Sequence, residues 1–143
     1  MKILAHAFTM IPTNDLAGTA AAYVGEGLDI LWRPDPQTAI VGAKKRAYVM
    51  IEDDPSERAL GAGPVLLVDD LSTVSLGDTS SWAIPPMNVP VGRYAAVDCD
   101  GTILRYLELS MSAEDIPSVW FGNPSDRGMT ADGIQRRQST PMR

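Results

Sequence analysis

Cysteine and histidine each occur once in the 143 residues, as Cys99 and His6. A single cysteine excludes an intrachain disulfide framework and any cysteine-rich zinc or iron–sulfur site, and it agrees with a reducing compartment, so a cytoplasmic setting is expected. With one histidine, every imidazole-based acid, base or triad mechanism would have to run through His6. Basic side chains are also scarce: 12 Lys and Arg stand against 18 Asp and Glu, a formal charge of -6. That balance disfavours attraction to phosphate backbones and anionic lipid, so neither a nucleic acid nor a membrane is an expected partner. No window approaches the roughly 18–20 apolar residues of a membrane span, and the first residues lack the long apolar run of an export signal. Phosphate-cradling glycine loops, nucleophile elbows and the HExxH pattern are missing too.

What is present is a turn-rich globular composition, 45% apolar with 12 Gly and 11 Pro, in a chain long enough for one ordinary domain. The charge is uneven along it. Residues 1–110 carry 8 basic and 14 acidic groups, whereas residues 111–143 carry 4 of each. The last stretch has three prolines and one compact apolar group at residues 116–121, too little to build a core. The expected organisation is therefore a domain over residues 1–110 and a C-terminal tail over residues 111–143. Val119, Trp120 and Phe121 are the tail's candidate partner-binding residues.

Within the first 110 residues an apolar run at 3–11 is broken by Pro12-Thr13-Asn14. Asn14 or Asp15 can cap a helix on which Leu16, Ala20, Tyr23 and Val24 share a face, and Gly25 and Gly27 offer its stop. Three short runs of branched and aromatic residues follow at 28–32, 38–42 and 47–52, each bounded by turn formers. A second cycle opens at Gly63-Pro64 with a strand at 65–68. Residues 72–81 then hold too few apolar positions for more than about one or two helical turns. Strands resume at 82–84, 92–98 and 102–109, with Asp100-Gly101 as a two-residue hairpin turn. The pattern predicts two related βαβββ units, the second with a clipped helix.

Those residues resemble the vicinal oxygen chelate superfamily, which includes glyoxalases, extradiol dioxygenases and bleomycin-resistance proteins. The resemblance rests on Asn14-Asp15-Leu16 opening the helix and on Ala22-Tyr23 followed by Gly25-Glu26-Gly27-Leu28. It continues through the run from Gly63 to Leu71 and through Gly92 to Asp98-Cys99-Asp100-Gly101 and on to Leu109. It implies an α+β fold: paired βαβββ modules forming a curled mixed sheet, often completed in a homodimer, with ligand or metal inside the cup. It also implies four inward metal-ligand positions, which fall at Phe8, Met50, Gly63 and Arg105. None of these is a usual ligand, since a catalytic cation needs several N or O donors. A register slip of two residues would bring His6 and Glu52 in their place, the basis for a metal-dependent lyase or dioxygenase as the third reading.

The leading expectation is a non-catalytic protein, with no cofactor, no metal and no catalytic residue, that holds a small aromatic or anionic molecule. Phe8, Met50, Trp82, Tyr94 and Arg105 are its candidate ligand-binding residues: aromatic rings and thioethers stack on planar ligands, and a guanidinium binds carboxylate or phosphate. Strand alternation leaves two readings of Arg105, either inward with Ile103 and Leu107 or in water opposite a core of Leu104 and Tyr106. The second function class is a structural or assembly protein attached through its tail. Glu52-Asp53-Asp54 and Asp69-Asp70 read as turns and caps, Lys44-Lys45-Arg46 as a solvated hairpin, and His6 as a half-buried structural imidazole. Cys99, in a turn without a second thiol or a neighbouring base, argues against nucleophilic catalysis.

Overall fold

A computed structural model describes residues 1–110. The chain runs β1 (Ile3–Pro12), α1 (Leu16–Gly25), β2 (Asp29–Asp35), β3 (Thr38–Ala43), β4 (Arg46–Glu52), α2 (Pro55–Leu60) and β5 (Gly63–Val68). A 3₁₀ turn at Leu71–Thr73 precedes β6 (Ser80–Val89), β7 (Gly92–Cys99) and β8 (Thr102–Leu109). All eight strands form one open mixed sheet in the order β2-β3-β4-β1-β5-β8-β7-β6. β1 lies parallel to β4 as β5 lies parallel to β8, and the two units meet through the antiparallel β1–β5 pair. This is the duplicated βαβββ arrangement predicted above. The tail residues 111–143, with Val119, Trp120 and Phe121, lie outside the described residues.

Local chemistry accounts for the boundaries. Asp15 caps α1 by accepting from the Gly18 N–H, and the 3₁₀ turn is capped by Asp70 accepting from Ser72. The hairpin between β3 and β4 turns on Lys44 and Lys45, both with positive φ, and the one between β7 and β8 turns on Asp100-Gly101 in the same left-handed region. Two features exceed the expectation. A second helix, α2, follows Glu52-Asp53-Asp54: Asp54 accepts from the N–H groups of Ser56 and Glu57, and Pro55 sits in the first turn, where its missing N–H costs nothing. β6 also runs through Pro85 and Pro86, which an edge strand tolerates because its outer N–H groups pair with nothing in the sheet.

The outer face carries two separate clusters. Leu16 and Ala20 of α1 pack on Ala39, Val41 and Ile51, and Leu71 of the 3₁₀ turn packs with Val68, Ala95, Val97 and Tyr106. The inner face carries a third, with Phe8, Met10, Ile40, Met50, Val65, Leu67, Leu107 and Leu109 all buried. Each such side chain contributes about 1.5–3 kcal/mol relative to exposure, so the sheet's two apolar faces hold the fold together and both alternatives for β8 are realised. Leu104 and Tyr106 are core on the outer side, while Arg105, Leu107 and Leu109 face inward. Among the described residues no helix is long and apolar enough to cross a membrane.

Candidate functional site

The four inward positions implied by the resemblance converge at the centre of the sheet. Phe8 on β1 opposes Val65 on β5, which opposes Arg105 on β8, forming one row across three strands. Met50 on β4 opposes Met10, and Met10 opposes Gly63, forming the next row. A Cβ built on Gly63 would come within 3.0 Å of Arg105 Nη1 and 2.8 Å of the Ile103 carbonyl oxygen. The guanidinium therefore lies against the glycine, in the space a third ligand's side chain would need.

Arg105 is fully buried. Its Nη2 donates to Glu57 Oε1 at 3.0 Å and to the Gly61 carbonyl at 2.7 Å, and its Nε donates to Glu57 Oε1 and to the Tyr94 hydroxyl, both at 3.1 Å. Tyr94 in turn donates to Glu57 Oε2 at 2.6 Å. Both carboxylate oxygens of Glu57 are thereby engaged, and the residue is itself buried. Burial and the Glu57 carboxylate push the Tyr94 hydroxyl far above its ordinary value, so it stays protonated as a donor. The Nη1 of Arg105 is buried without a hydrogen-bond partner.

Of the candidate ligand-binding residues, Phe8, Met50, Tyr94 and Arg105 share the inner face. Phe8 and Met50 are buried core, and only Tyr94 joins Arg105 in a polar contact. Trp82 opposes Val97 and packs on the outer cluster, so it is separated from the others by the sheet. Glu57, which bonds both Arg105 and Tyr94, is not among the residues expected from the sequence. Its signal was present as Asp54-Pro55-Ser56-Glu57, an N-cap followed by Pro at the first helical position and an acid in the first turn.

The register-slip expectation fails on geometry. A β-bulge between His6 and Phe8 pairs His6 with Leu66 while Phe8 pairs with Val65, so the two residues do not share a face. His6 is also exposed, not half-buried. Glu52 opposes Pro12, six residues along β1 from His6, which separates the two by roughly 20 Å. Neither the four central residues nor this pair fits a metal ion, and no group of three or more metal-ligating side chains occurs among the described residues. Glu52 instead accepts from the Thr38 hydroxyl at 3.1 Å on either oxygen. Burial pushes its carboxyl up to about 7, the Thr38 bond opposes this, and Asp35, Asp54 and Glu57 add to the rise.

The remaining acidic pairs are structural. Asp53 pairs with Arg58 at 2.7 Å, and Asp69 accepts from the Lys2 N–H, a bond that holds its carboxyl below the usual range.

No family model matches the chain, and no curated protein does. Solved structures do. The chain is similar to a variant of homoprotocatechuate 2,3-dioxygenase from Brevibacterium fuscum, at 14% identity and a TM-score of 0.48, with 77% of this chain and 33% of that one covered. It is similar to the native enzyme of that name from Arthrobacter globiformis, at 15% identity and 0.49, covering 76% and 37%. An uncharacterized protein from Methanosarcina mazei is similar at 20% identity and 0.42, covering 77% and 95%. The chain thus spans about a third of the length of the dioxygenases.

Proposed function

We propose that the chain is a non-catalytic small-molecule-binding protein that works without a metal, with residues 1–110 as its binding unit. The inner face around Arg105 and Tyr94 receives a planar molecule bearing a hydrogen-bond acceptor. The observation that carries this reading is Arg105 Nη1, buried and without a partner, while Glu57, Tyr94 and Gly61 hold the rest of the guanidinium in place. A buried unsatisfied donor costs about 1–3 kcal/mol. Because Arg105 is fully buried, an oxygen acceptor on a ligand removes that cost once the inner face opens to admit it. Glu57 already neutralises the guanidinium, so a primary amide is expected to bind comparably to the matching carboxylate.

The absence of turnover in this reading follows from the same contacts. Arg105 and Glu57 are committed to each other, and burial with the Glu57 carboxylate holds the Tyr94 hydroxyl protonated, which supports binding over proton transfer at this hydroxyl. Phe8 and Met50 support the site from the core beneath it. A homodimer and a cytoplasmic setting complete the proposal. The two outer strands, β2 and β6, with exposed Ile30 and Met87, support the dimer, and a monomer in sedimentation would remove that part.

A thermal-shift panel of planar aromatic carboxylates and their primary amides tests the binding. Saturable stabilisation of the full chain is expected, absent in the double variant Glu57→Gln/Arg105→Met, which removes the pair without leaving a lone buried charge. Stabilisation by no member, or equal stabilisation of the double variant, would overturn the reading.

A further inference from the structure

The two βαβββ units differ most on their outer faces. In the first, α1 spans ten residues and covers Ala39, Val41 and Ile51 with Leu16 and Ala20. In the second, the equivalent cover is a three-residue 3₁₀ turn, whose Leu71 reaches only part of the sheet. The connection from Thr73 to Ser80 arches over what remains and leaves a cavity of about 330 Å³ against β7 and β8. Val74 and Leu76 wall it from the connection, Val97 and the ring of Tyr106 from the sheet, and Ser80 and Cys99 mark one end. The Ser80 hydroxyl donates to Cys99 Sγ at 3.8 Å.

We infer that this cavity is a second small-molecule site, on the face opposite Arg105, for an uncharged planar molecule of one or two fused rings carrying a hydroxyl or ring N–H. The volume falls within the range of about 300–1,000 Å³ typical of small-molecule sites. Val74, Leu76, Val97 and the Tyr106 ring give a flat apolar body its contact, and Thr73 and Ser75 add polar groups to the same lining. No charged side chain lines the cavity, and the ammonium of Met1 at its lining already faces the Asp69 carboxylate, so a carboxylate entering it would regain little for its lost hydration. The hydroxyl of Ser80 and the thiol of Cys99 supply polar contacts at one end, where a donor group on the ligand can be received. Burial raises the Tyr106 hydroxyl above its ordinary value, so it too stays neutral. The inference does not depend on the inner-face reading, because the two sites share no residue.

Cys99 is the chain's single thiol and lines the cavity, so it reports occupancy directly. The rate at which full-length protein reacts with 5,5′-dithiobis(2-nitrobenzoate) is measured against rising indole, with indole-3-carboxylate as the charged control. Saturable slowing by indole is expected, about tenfold when indole stands at about ten times its Kd, with little slowing by the carboxylate. Leu76→Trp, which fills the cavity, should abolish the response, whereas the double variant Glu57→Gln/Arg105→Met, which leaves no lone buried charge, should keep it. Should Leu76→Trp fail to fold, wild-type protein methylthiolated at Cys99 serves instead, and its thermal midpoint should no longer respond to indole. No slowing by indole, equal slowing by the carboxylate, or an undiminished response in the filled protein would overturn the inference. Loss of the indole response in the folded double variant would place the binding on the inner face and overturn the inference.

Discussion

Glu57 Oε1 lies 3.0 Å from Arg105 Nη2, joining a side chain on the six-residue helix between the two units to the centre of the last strand, 48 positions further on. With Arg105 fully buried and Glu57 nearly so, this ion pair sits where water cannot replace either partner. It clamps the connection between the units onto the second of them and holds the guanidinium against Gly63.

Removing one partner should therefore be far more damaging than removing both. Arg105→Met alone leaves the Glu57 carboxylate buried without its cation and is expected to lower unfolding stability by about 3–5 kcal/mol. Pairing it with Glu57→Gln should recover a large part of that loss. Urea denaturation of the two single variants and the double closes the cycle, and additive losses would show that the pair is not coupled.

Gly63 tests the close packing of the same group. Gly63→Ala places a methyl within 3.0 Å of Arg105 Nη1 and 2.8 Å of the Ile103 carbonyl. The backbone oxygen cannot swing aside as a side chain does, so a loss of about 1–3 kcal/mol is expected. An unchanged denaturation midpoint would mean that the glycine is not needed there.

Glu52 predicts a pH dependence. Its folded carboxyl titrates at about 7 against 4.5 as the ordinary value, so the folded state holds a proton that the unfolded chain has released between those pH values. The stability tied to that proton is complete below about 4.5 and is lost as pH rises through about 7. Glu52 is only half-buried, and solvent screening brings the effect down to on the order of 1 kcal/mol. Glu52→Gln should flatten the stability profile between pH 5 and pH 8 by about that amount. A wild-type profile that rises over this interval and keeps its slope in Glu52→Gln would contradict the assignment.

Residues 1–110 are proposed to fold as one unit. The Ser110 N–H donates to the Val91 carbonyl at 2.9 Å, closing the sheet's last strand just before the proposed boundary. A chain ending at Ser110 should unfold in a single transition and keep the oligomeric state of the full protein. A change of oligomeric state on removing residues 111–143 would instead favour assembly through Val119, Trp120 and Phe121.

The strands and α1 were legible in the sequence because their ends are written in local chemistry: an aspartate cap, an Asp-Gly turn, apolar runs of one period. The duplication was legible for the same reason. Three features were not. The His6–Phe8 bulge moves His6 to another face, and bulges leave no mark in a pattern of alternating residues. β6 continues through Pro85 and Pro86 because it is an edge strand, a property set by tertiary order. The orientation of Arg105 was undecidable because both faces of β8 are buried, and its partner Glu57 is distant in sequence and on a helix too short to show a period. Phe8, Met50 and Arg105 do share the inner face, as the strand positions implied, and the contacts of Arg105 there depend on Glu57.

The guanidinium nitrogen resonances of Arg105, followed by ¹⁵N NMR while planar aromatic carboxylates and amides are titrated into the full chain, test the binding proposal most directly. A saturable shift at the Nη signals is expected, with the Nε signal, held by Glu57 and Tyr94, moving little. Unmoved Arg105 signals throughout a titration in which the same compounds stabilise the protein would contradict it.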